Sequence, residues 1–456
     1  MRTLTVLFTL LALRYLAVLL GELRTVRFLR DRRVHGVDRK EPAVYVVIPV
    51  LREQHTIEGA VAHFTSLPYP ALELVVVTTA REGDGVGTTA EVARQLASQY
   101  HFAWLHYPEK EGAKADQINF AVDWIAARVG NRMEQTFVAI YDADSRPHES
   151  TLKYFAQSLR LQPNIRAFQQ SALFVFRGES GGGWFNRFLL RGSAVRATRF
   201  VLAFEIPRLL NKLAFYNRSS LLRRLVGMWT YAHCVGHGLF VRLDLVHTVR
   251  FPPRAILEDM FYGFILNDLR EPVVPLPVLD VAEVPTSISQ LFYQMARWFW
   301  GPGLTVSYYW YVRERYTQKN SPKLIRVLPA VAGVMYAMSW LGTSAVFVGT
   351  LIALLIATAA VWDVSTNILL PWVTLSSVIL FVVACTATVA VAAVQYDRLL
   401  CTMTMRMDSH RLGRRLLDIL ACLAVMFFHS FPAAYALWDA WRGSSSVAHR
   451  KTERGA

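Results

Sequence analysis

The sequence predicts an α/β domain built on a doubly wound, Rossmann-like sheet, joined to an α-helical transmembrane region. Three observations predict it. Between Val44 and Tyr141, short apolar strand-like runs alternate with helix-patterned stretches. The last third of the chain holds apolar runs long enough to cross a bilayer, which takes about 20 residues. Charged residues make up only 18% of the chain, against roughly 25% in an ordinary soluble domain, and the deficit lies in that last third. At 456 residues the chain has room for two or three domain-sized units.

The first element is the apolar run Leu4 to Leu20. It is long for a signal-peptide core and no small-residue cleavage site follows, so residues 1–22 read as a retained transmembrane anchor. Arg14 inside it would cost about 2.5–3.5 kcal/mol at a helix centre, which favours a partner helix beside it or an interfacial position. Val44 to Ile48, ended by Pro49, is the first buried strand. A helix over Thr56 to Thr65, a strand over Leu72 to Thr78, a helix over Thr88 to Tyr100 and a strand over Phe102 to His106 follow. Ala113 to Arg128 is the third helix. Thr136 to Tyr141 is the fourth strand, which delivers Asp142-Ala143-Asp144 to the sheet edge where ligands bind in such folds. The α/β unit spans residues 42–300.

Within it, residues 178–224 change character. After Gly181-Gly182-Gly183, aromatic and arginine residues alternate through Arg208, as in helices packed on the sheet or lying on lipid headgroups. Residues 301–322 read as an interfacial segment, 323–441 as transmembrane helices and 442–456 as a polar tail. Ile325 to Trp362 is nearly twice the length of one span and is expected to hold two helices joined near Gly342. Ile368 to Val394 and Leu416 to Trp441 give one each, about five spans in all. The positive-inside rule does not settle their topology, because the Arg398–Arg415 loop and the tail are similarly basic; a single crossing by the long segment would make that loop cytoplasmic.

The net charge of +15, mostly arginine, has two readings. A nucleic-acid partner would carry a recognisable motif, and none is present. Basic clusters flanking apolar runs, such as Arg24, Arg27, Arg30, Arg32 and Arg33, instead mark the cytoplasmic side of membrane spans. Cys234, Cys385, Cys401 and Cys422 have no C-x-x-C spacing, so neither a disulfide framework nor a zinc site is indicated.

Three motifs carry chemistry. Asp142 and Asp144 can hold a hard divalent cation, Mg²⁺ or Mn²⁺, together with a diphosphate; a solvated turn with helix-capping acids has the same sequence. Glu258-Asp259 offers a carboxylate to take a proton from an attacking hydroxyl. Asp259 is the candidate base and Glu258 its orienting partner; acids at a helix N-terminus are the alternative. Gln294, Arg297 and Trp298 share a helix face, with arginine donors for phosphate oxygens and a flat indole for a sugar ring. An interfacial Arg/Trp belt is the competing reading.

The order Asp142-x-Asp144, Glu258-Asp259, Gln294-x-x-Arg297-Trp298, ahead of a membrane-helix cluster, resembles family 2 glycosyltransferases, the group of cellulose, chitin and hyaluronan synthases and ceramide glucosyltransferase. The resemblance covers Val44 to Trp300. It implies a GT-A fold, a UDP-sugar donor, a divalent metal and inversion to a β-linkage. It places Pro49 and Glu53 at the nucleotide pocket and Lys114, in Gly112-x-Lys114-x-x-x-x-Asn119, at the donor phosphates. Gln169, Gln170 and Gly236 fall at the acceptor cleft with Gln294 and Trp298, while Arg297 holds the diphosphate. The family's uracil-binding aspartates are missing after the second strand, leaving Glu82 or Asp84 for that task. A processive polysaccharide synthase is the expected activity, with single transfer to a membrane lipid as the alternative. The expected partners are the UDP-sugar, a polysaccharide or lipid acceptor and the lipid bilayer, with no nucleic acid. The expected location is a bacterial inner or plasma membrane, with the catalytic domain cytoplasmic.

Overall fold

The computed structural model describes residues 1–30, 41–83, 85, 87–176, 183–217, 220–316, 323–362, 369–404 and 412–443. The first helix, α1 (Arg2–Arg30), outruns the expected anchor by about two turns. The sheet then grows from β1 (Ala43–Pro49), an apolar run buried on both faces. Val44, Val46 and Ile48 enter one core while Tyr45 and Val47 enter the other, as the two-residue period of a strand requires. The helices α2 (Ile57–Thr65), α3 (Thr89–Tyr100) and α4 (Lys114–Val129) alternate with β2 (Leu72–Thr79), β3 (Ala103–Tyr107) and β4 (Thr136–Ile140). These four strands are parallel, in the order β3-β2-β1-β4. α2, α3 and α5 (Thr151–Leu161) cover the Val44 side, and α4 covers the Tyr45 side.

Beyond β4 the sheet is no longer parallel throughout. β5 (Ala167–Gln169) and β6 (Ala172–Val175) precede a helical excursion through α6 (Trp184–Phe200), α7 (Ile206–Tyr216) and α8 (Leu221–Met228). β7 (Leu239–Arg242) then enters antiparallel between β4 and β5, and β8 (Val273–Pro275) closes the seven-stranded edge parallel to β5. Antiparallel pairing needs no crossover helix on the sheet, and the helices of this excursion are used elsewhere. β6 pairs in parallel with β9 (Asp280–Glu283) as a separate ribbon. Between β7 and β9 lie α9 (Leu243–Thr248) and α10 (Glu258–Asp268), on the α4 side.

α6 and α7 are joined through a π-helical turn at Val201–Glu205, where Ile206 N–H reaches back to Val201. Pro207, which has no N–H to give, supplies the local reason for the irregular turn. This long helix packs with α1 and with the C-terminal helices in one apolar core that includes Leu202, Ile206, Phe8 and Val389. It therefore ties the sheet domain to the apolar helices.

After α11 (Ile288–Gly303) and α12 (Thr305–Arg315) come α13 (Lys323–Trp362), α14 (Leu369–Thr404), α15 (Leu412–Phe427) and α16 (Ser430–Trp441). Four stretches among the described residues are long and apolar enough to cross a membrane: Arg2–Arg30, Val327–Trp362, Leu369–Thr402 and Gly413–Trp441. The two helices expected within 325–362 are one, with no break at Gly342. α1 and α14 run parallel: Thr5 and Thr374 share a hydrogen bond at 2.6 Å near one end, and Leu20 to Arg30 lie beside Ala390 to Gln395 near the other. α1 and α14 thus point the same way, with α13 a single helix between them in the chain.

Candidate active site

β4 ends at Ile140, and burial then alternates, with Tyr141, Ala143 and Ser145 inside and Asp142 and Asp144 half-exposed. Lys114, the first residue of α4, donates to Asp142 Oδ1 at 2.7 Å and to the Gly236 carbonyl at 2.8 Å. It also stands 3.5 Å from Glu258 Oε1. A Cβ on Gly236 would lie 3.0 Å from both Lys114 Nζ and Asp259 Oδ2. Lys114, Asp142, Gly236, Glu258 and Asp259, from four parts of the chain, thus meet at one point. Asp116 fixes the approach of α4 by accepting from Ala113 N–H at 2.7 Å.

Glu258 and Asp259 do begin a helix, so the capping reading and the cluster reading hold together. Burial, with Glu258 second, pushes the Asp259 carboxyl up to about 7, against the opposing pull of Lys114. For Lys114, burial works against the charge, but Asp142 and Glu258 more than offset it and hold the ammonium above the usual lysine range. One cation thus stands among carboxylates, one of which is held near neutrality.

The Gly236 turn is held from beneath. Gln169, fully buried, accepts from Val235 N–H at 2.9 Å and donates to the carbonyls of His237 at 2.8 Å and Gln170 at 2.9 Å. Gln170 takes the Tyr141 hydroxyl at 2.5 Å and gives to Thr151 at 3.0 Å. Both amides are thus engaged in the wall of the site. Gly238 has φ +64°, and a Cβ there would sit 2.6 Å from the Gln170 carbonyl, so only glycine fits. His237 Nδ1 lies 3.6 Å from buried Asp280.

Pro49 ends β1 in register with Val77. Glu53 N–H donates to Thr89 Oγ1 at 2.8 Å. Glu82 accepts from Arg52 N–H at 3.2 Å and from both Thr89 N–H and Thr89 Oγ1 at 2.9 Å. It ties the loop after β1 to the start of α3. Asp84 lies outside the described residues. The Asn119 side-chain amide joins α4 to Phe251, donating to its carbonyl at 2.9 Å and accepting from its N–H at 3.1 Å. Gln117, to which the sequence reading gives no role, bridges the Val50 and Val77 carbonyls at 3.0 and 2.7 Å. Its only signal was an amide on the buried face of α4.

Gln294, Arg297 and Trp298 stand on α11, as their spacing predicts. The helix reaches the cluster at two points. A Cβ on Gly301 would sit 2.0 Å from Met260 Sδ and 3.1 Å from Leu257 Cδ1, so α11 lies hard against the start of α10. Trp298 meets Phe174 edge-on at 5.9 Å between centroids, and Phe174 meets His237, beside Gly236, at 6.4 Å. Gln294 Nε2, Arg297 Nε, Arg208 Nη1 and Glu205 Oε1 are buried without a hydrogen-bond partner among the described residues. Burial holds the Glu205 carboxyl above its usual range.

No group of three or more His, Cys, Asp or Glu side chains that could hold a metal occurs among the described residues. The donor set at Asp142 and Asp144 is carboxylate oxygen only, which suits a hard divalent ion that completes its shell with phosphate and water.

A Rossmann-like half-sheet with carboxylates at its edge is the layout of an α/β domain that binds its ligand beyond the strand ends, and one comparison specifies the family. Residues 42–301 match the family described as Glycosyltransferase like family 2, and the chain belongs to it. Its fold is similar to two solved structures. The mannosyltransferase PcManGT from Pyrobaculum calidifontis, in complex with GDP-Man and Mn2+, is 16% identical at a TM-score of 0.44, over 92% of this chain and 99% of that one. S. aureus TarS 1–349 is 11% identical at a TM-score of 0.38, over 88% and 92%.

Proposed function

We propose that this glycosyltransferase transfers a sugar, with inversion, from a UDP-sugar to an acceptor hydroxyl at a membrane surface, building a β-linked polysaccharide processively. The observation that carries the reading is the meeting of Asp142, Lys114, Gly236 and Asp259 at one point, beside helices long enough to cross a bilayer. Asp259 takes the acceptor proton as the hydroxyl oxygen bonds to the anomeric carbon; the bond from that carbon to the diphosphate breaks, and its electron pair leaves with the UDP. Glu258 keeps Asp259 basic. Lys114 and Arg297 hold diphosphate oxygens, and the missing side chain at Gly236 lets the acceptor come close. Asp142 and Asp144 would hold Mg²⁺ or Mn²⁺, which supplies positive charge against the departing diphosphate. Pro49 and Glu53 border the nucleotide. Glu82 shapes that border through the three hydrogen bonds it accepts. Gln169 and Gln170 act from beneath, by fixing the wall that Trp298 and Gln294 face.

If the four candidate spans each cross once, the basic end of α1, the catalytic domain and the Arg398 end of α14 share one side, which the positive-inside rule makes cytoplasmic in a bacterial inner or plasma membrane. A second reading, a single transfer to a membrane lipid, draws on the same helices: among the described residues three candidate spans follow the catalytic domain where four were expected. Product length separates the two. Purified enzyme with labelled UDP-glucose, UDP-N-acetylglucosamine, UDP-galactose or UDP-glucuronate should yield a ladder of growing polymer with one donor. A single glycolipid band would establish the second reading, and no transfer from any UDP-sugar would sink the donor assignment. Chelation should stop transfer, and added Mg²⁺ or Mn²⁺ should restore it.

A further inference from the structure

Where α1 and α14 run side by side they leave an open groove of about 820 Å³. Its lining is graded. Leu20 at one end and Ala390 and Val394 on the facing wall are apolar, while Arg24, Arg27 and Arg30 line it from the last turns of α1. The three arginines are exposed and recur every three residues, so they rise along one face of the helix. Arg24 gives a hydrogen bond to Asn211 at 3.0 Å. Among the described residues no hydrogen bond or ion pair engages Arg27 or Arg30, and no acid lines the groove.

We infer that this groove binds one anionic phospholipid, its acyl chain along the apolar wall and its phosphate among the three guanidiniums. The change from apolar to basic lining falls where the apolar run of α1 ends, so the groove straddles the level at which a hydrocarbon core gives way to headgroups. An amphiphile with its charge at one end matches that grading. A soluble phosphate would leave the apolar half uncovered, and a zwitterionic lipid would leave the positive charge uncompensated. Arginines that only marked one side of the membrane would need no cavity between two helices. The lining of the site includes no residue assigned to sugar transfer. Through Arg24 and Asn211 it also touches α7, the helix that ties the sheet domain to the apolar core.

Native mass spectrometry of the purified full-length protein, titrated with phosphatidylglycerol or phosphatidylcholine, tests this. Phosphatidylglycerol should bind at least tenfold tighter, and that preference should shrink as salt rises. Arg27→Gln with Arg30→Gln should weaken phosphatidylglycerol about thirty-fold, two charges acting near an anionic headgroup, and leave phosphatidylcholine unchanged. Ala390→Trp, which fills the groove and keeps the charges, should weaken both lipids. Equal binding of the two lipids to the unaltered protein, unaffected by salt, would overturn the inference even if both variants failed to fold. Unchanged phosphatidylglycerol binding in the variants would overturn the location. Glycerol phosphate competing as well as the whole lipid would replace it with a soluble phosphate site.

Discussion

At the scale of single residues the decisive group is Asp259, a carboxyl pushed up to about 7 by burial and by Glu258. As the proposed base it must be ionised, so transfer should rise with pH through about 7 and level off above. Glu258→Gln removes the second cause and should move that rise to lower pH; an unchanged profile would separate the titration from this pair. Stability runs the other way. The folded value lies above the ordinary 3.8, so the contribution of Asp259 to stability is whole below about pH 4 and is lost as pH climbs through about 7. Asp259→Asn, permanently neutral, should therefore abolish transfer, bind UDP nearly as before, and melt higher than the unaltered enzyme at pH 8 but not at pH 4. Residual turnover in that variant would remove Asp259 as the base. Asp142, Lys114, Glu258 and Asp259, which the structure brings together, were singled out because D-x-D, G-x-K-x-x-x-x-N and E-D have fixed spacings. The supporting hydrogen bonds of Gln117, Gln169 and Gln170 were not, since apart from the neighbouring Gln170 carbonyl their partners are backbone groups 40 to 68 positions away or buried side chains elsewhere in the chain.

Elements were legible wherever one periodicity ran unopposed. The four strands and three helices to Tyr141 fall within a few residues of their predicted ends, because a parallel sheet demands continuous apolar strands between amphipathic helices. β7 escaped because three apolar residues and an arginine carry no mark of strand direction. α13 failed differently. Gly342 reads as a breaker in water, but in hydrocarbon a broken helix strands backbone groups that have no water to meet, and the unbroken form wins. A Cβ at Gly342 meets nothing within 4 Å. Gly342→Ala should accordingly be neutral or stabilising by up to about 1 kcal/mol in thermal melts, whereas a bend at that point would make it harmful. Gly192 is the opposite case. A Cβ there would lie 2.4 Å from the Ala421 carbonyl oxygen, and backbone cannot swing aside as a side chain can. Gly192→Ala should force α6 and α15 apart at a cost of about 1–3 kcal/mol, read as a lowered Tm with UDP binding retained below it.

For the whole molecule the question is whether sheet domain and apolar helices hold together as one body. Sequence could separate the two by composition but had no means of showing that α6, an excursion from the sheet, carries the join. Arg191 of α6 donates to Asp418 of α15 through two nitrogens, one at 2.8 Å, and lies 3.6 Å from Asp397 of α14, which Arg415 approaches at 3.7 Å. Asp418 is almost wholly buried. Removing one partner of a buried ion pair leaves the other's charge uncompensated, at about 3–5 kcal/mol. Asp418→Asn should fall near the lower figure, because Asp397 still faces the guanidinium. Arg191→Met with Asp418→Leu should recover most of the loss, since two apolar groups of similar volume leave no charge behind. If α6 couples the halves, thermal unfolding in detergent followed by donor binding and by helical signal should shift together in the single variant and return together in the double. A donor-binding transition that stays in place while the helical one moves would mean that the two halves are stable independently and that the join lies elsewhere.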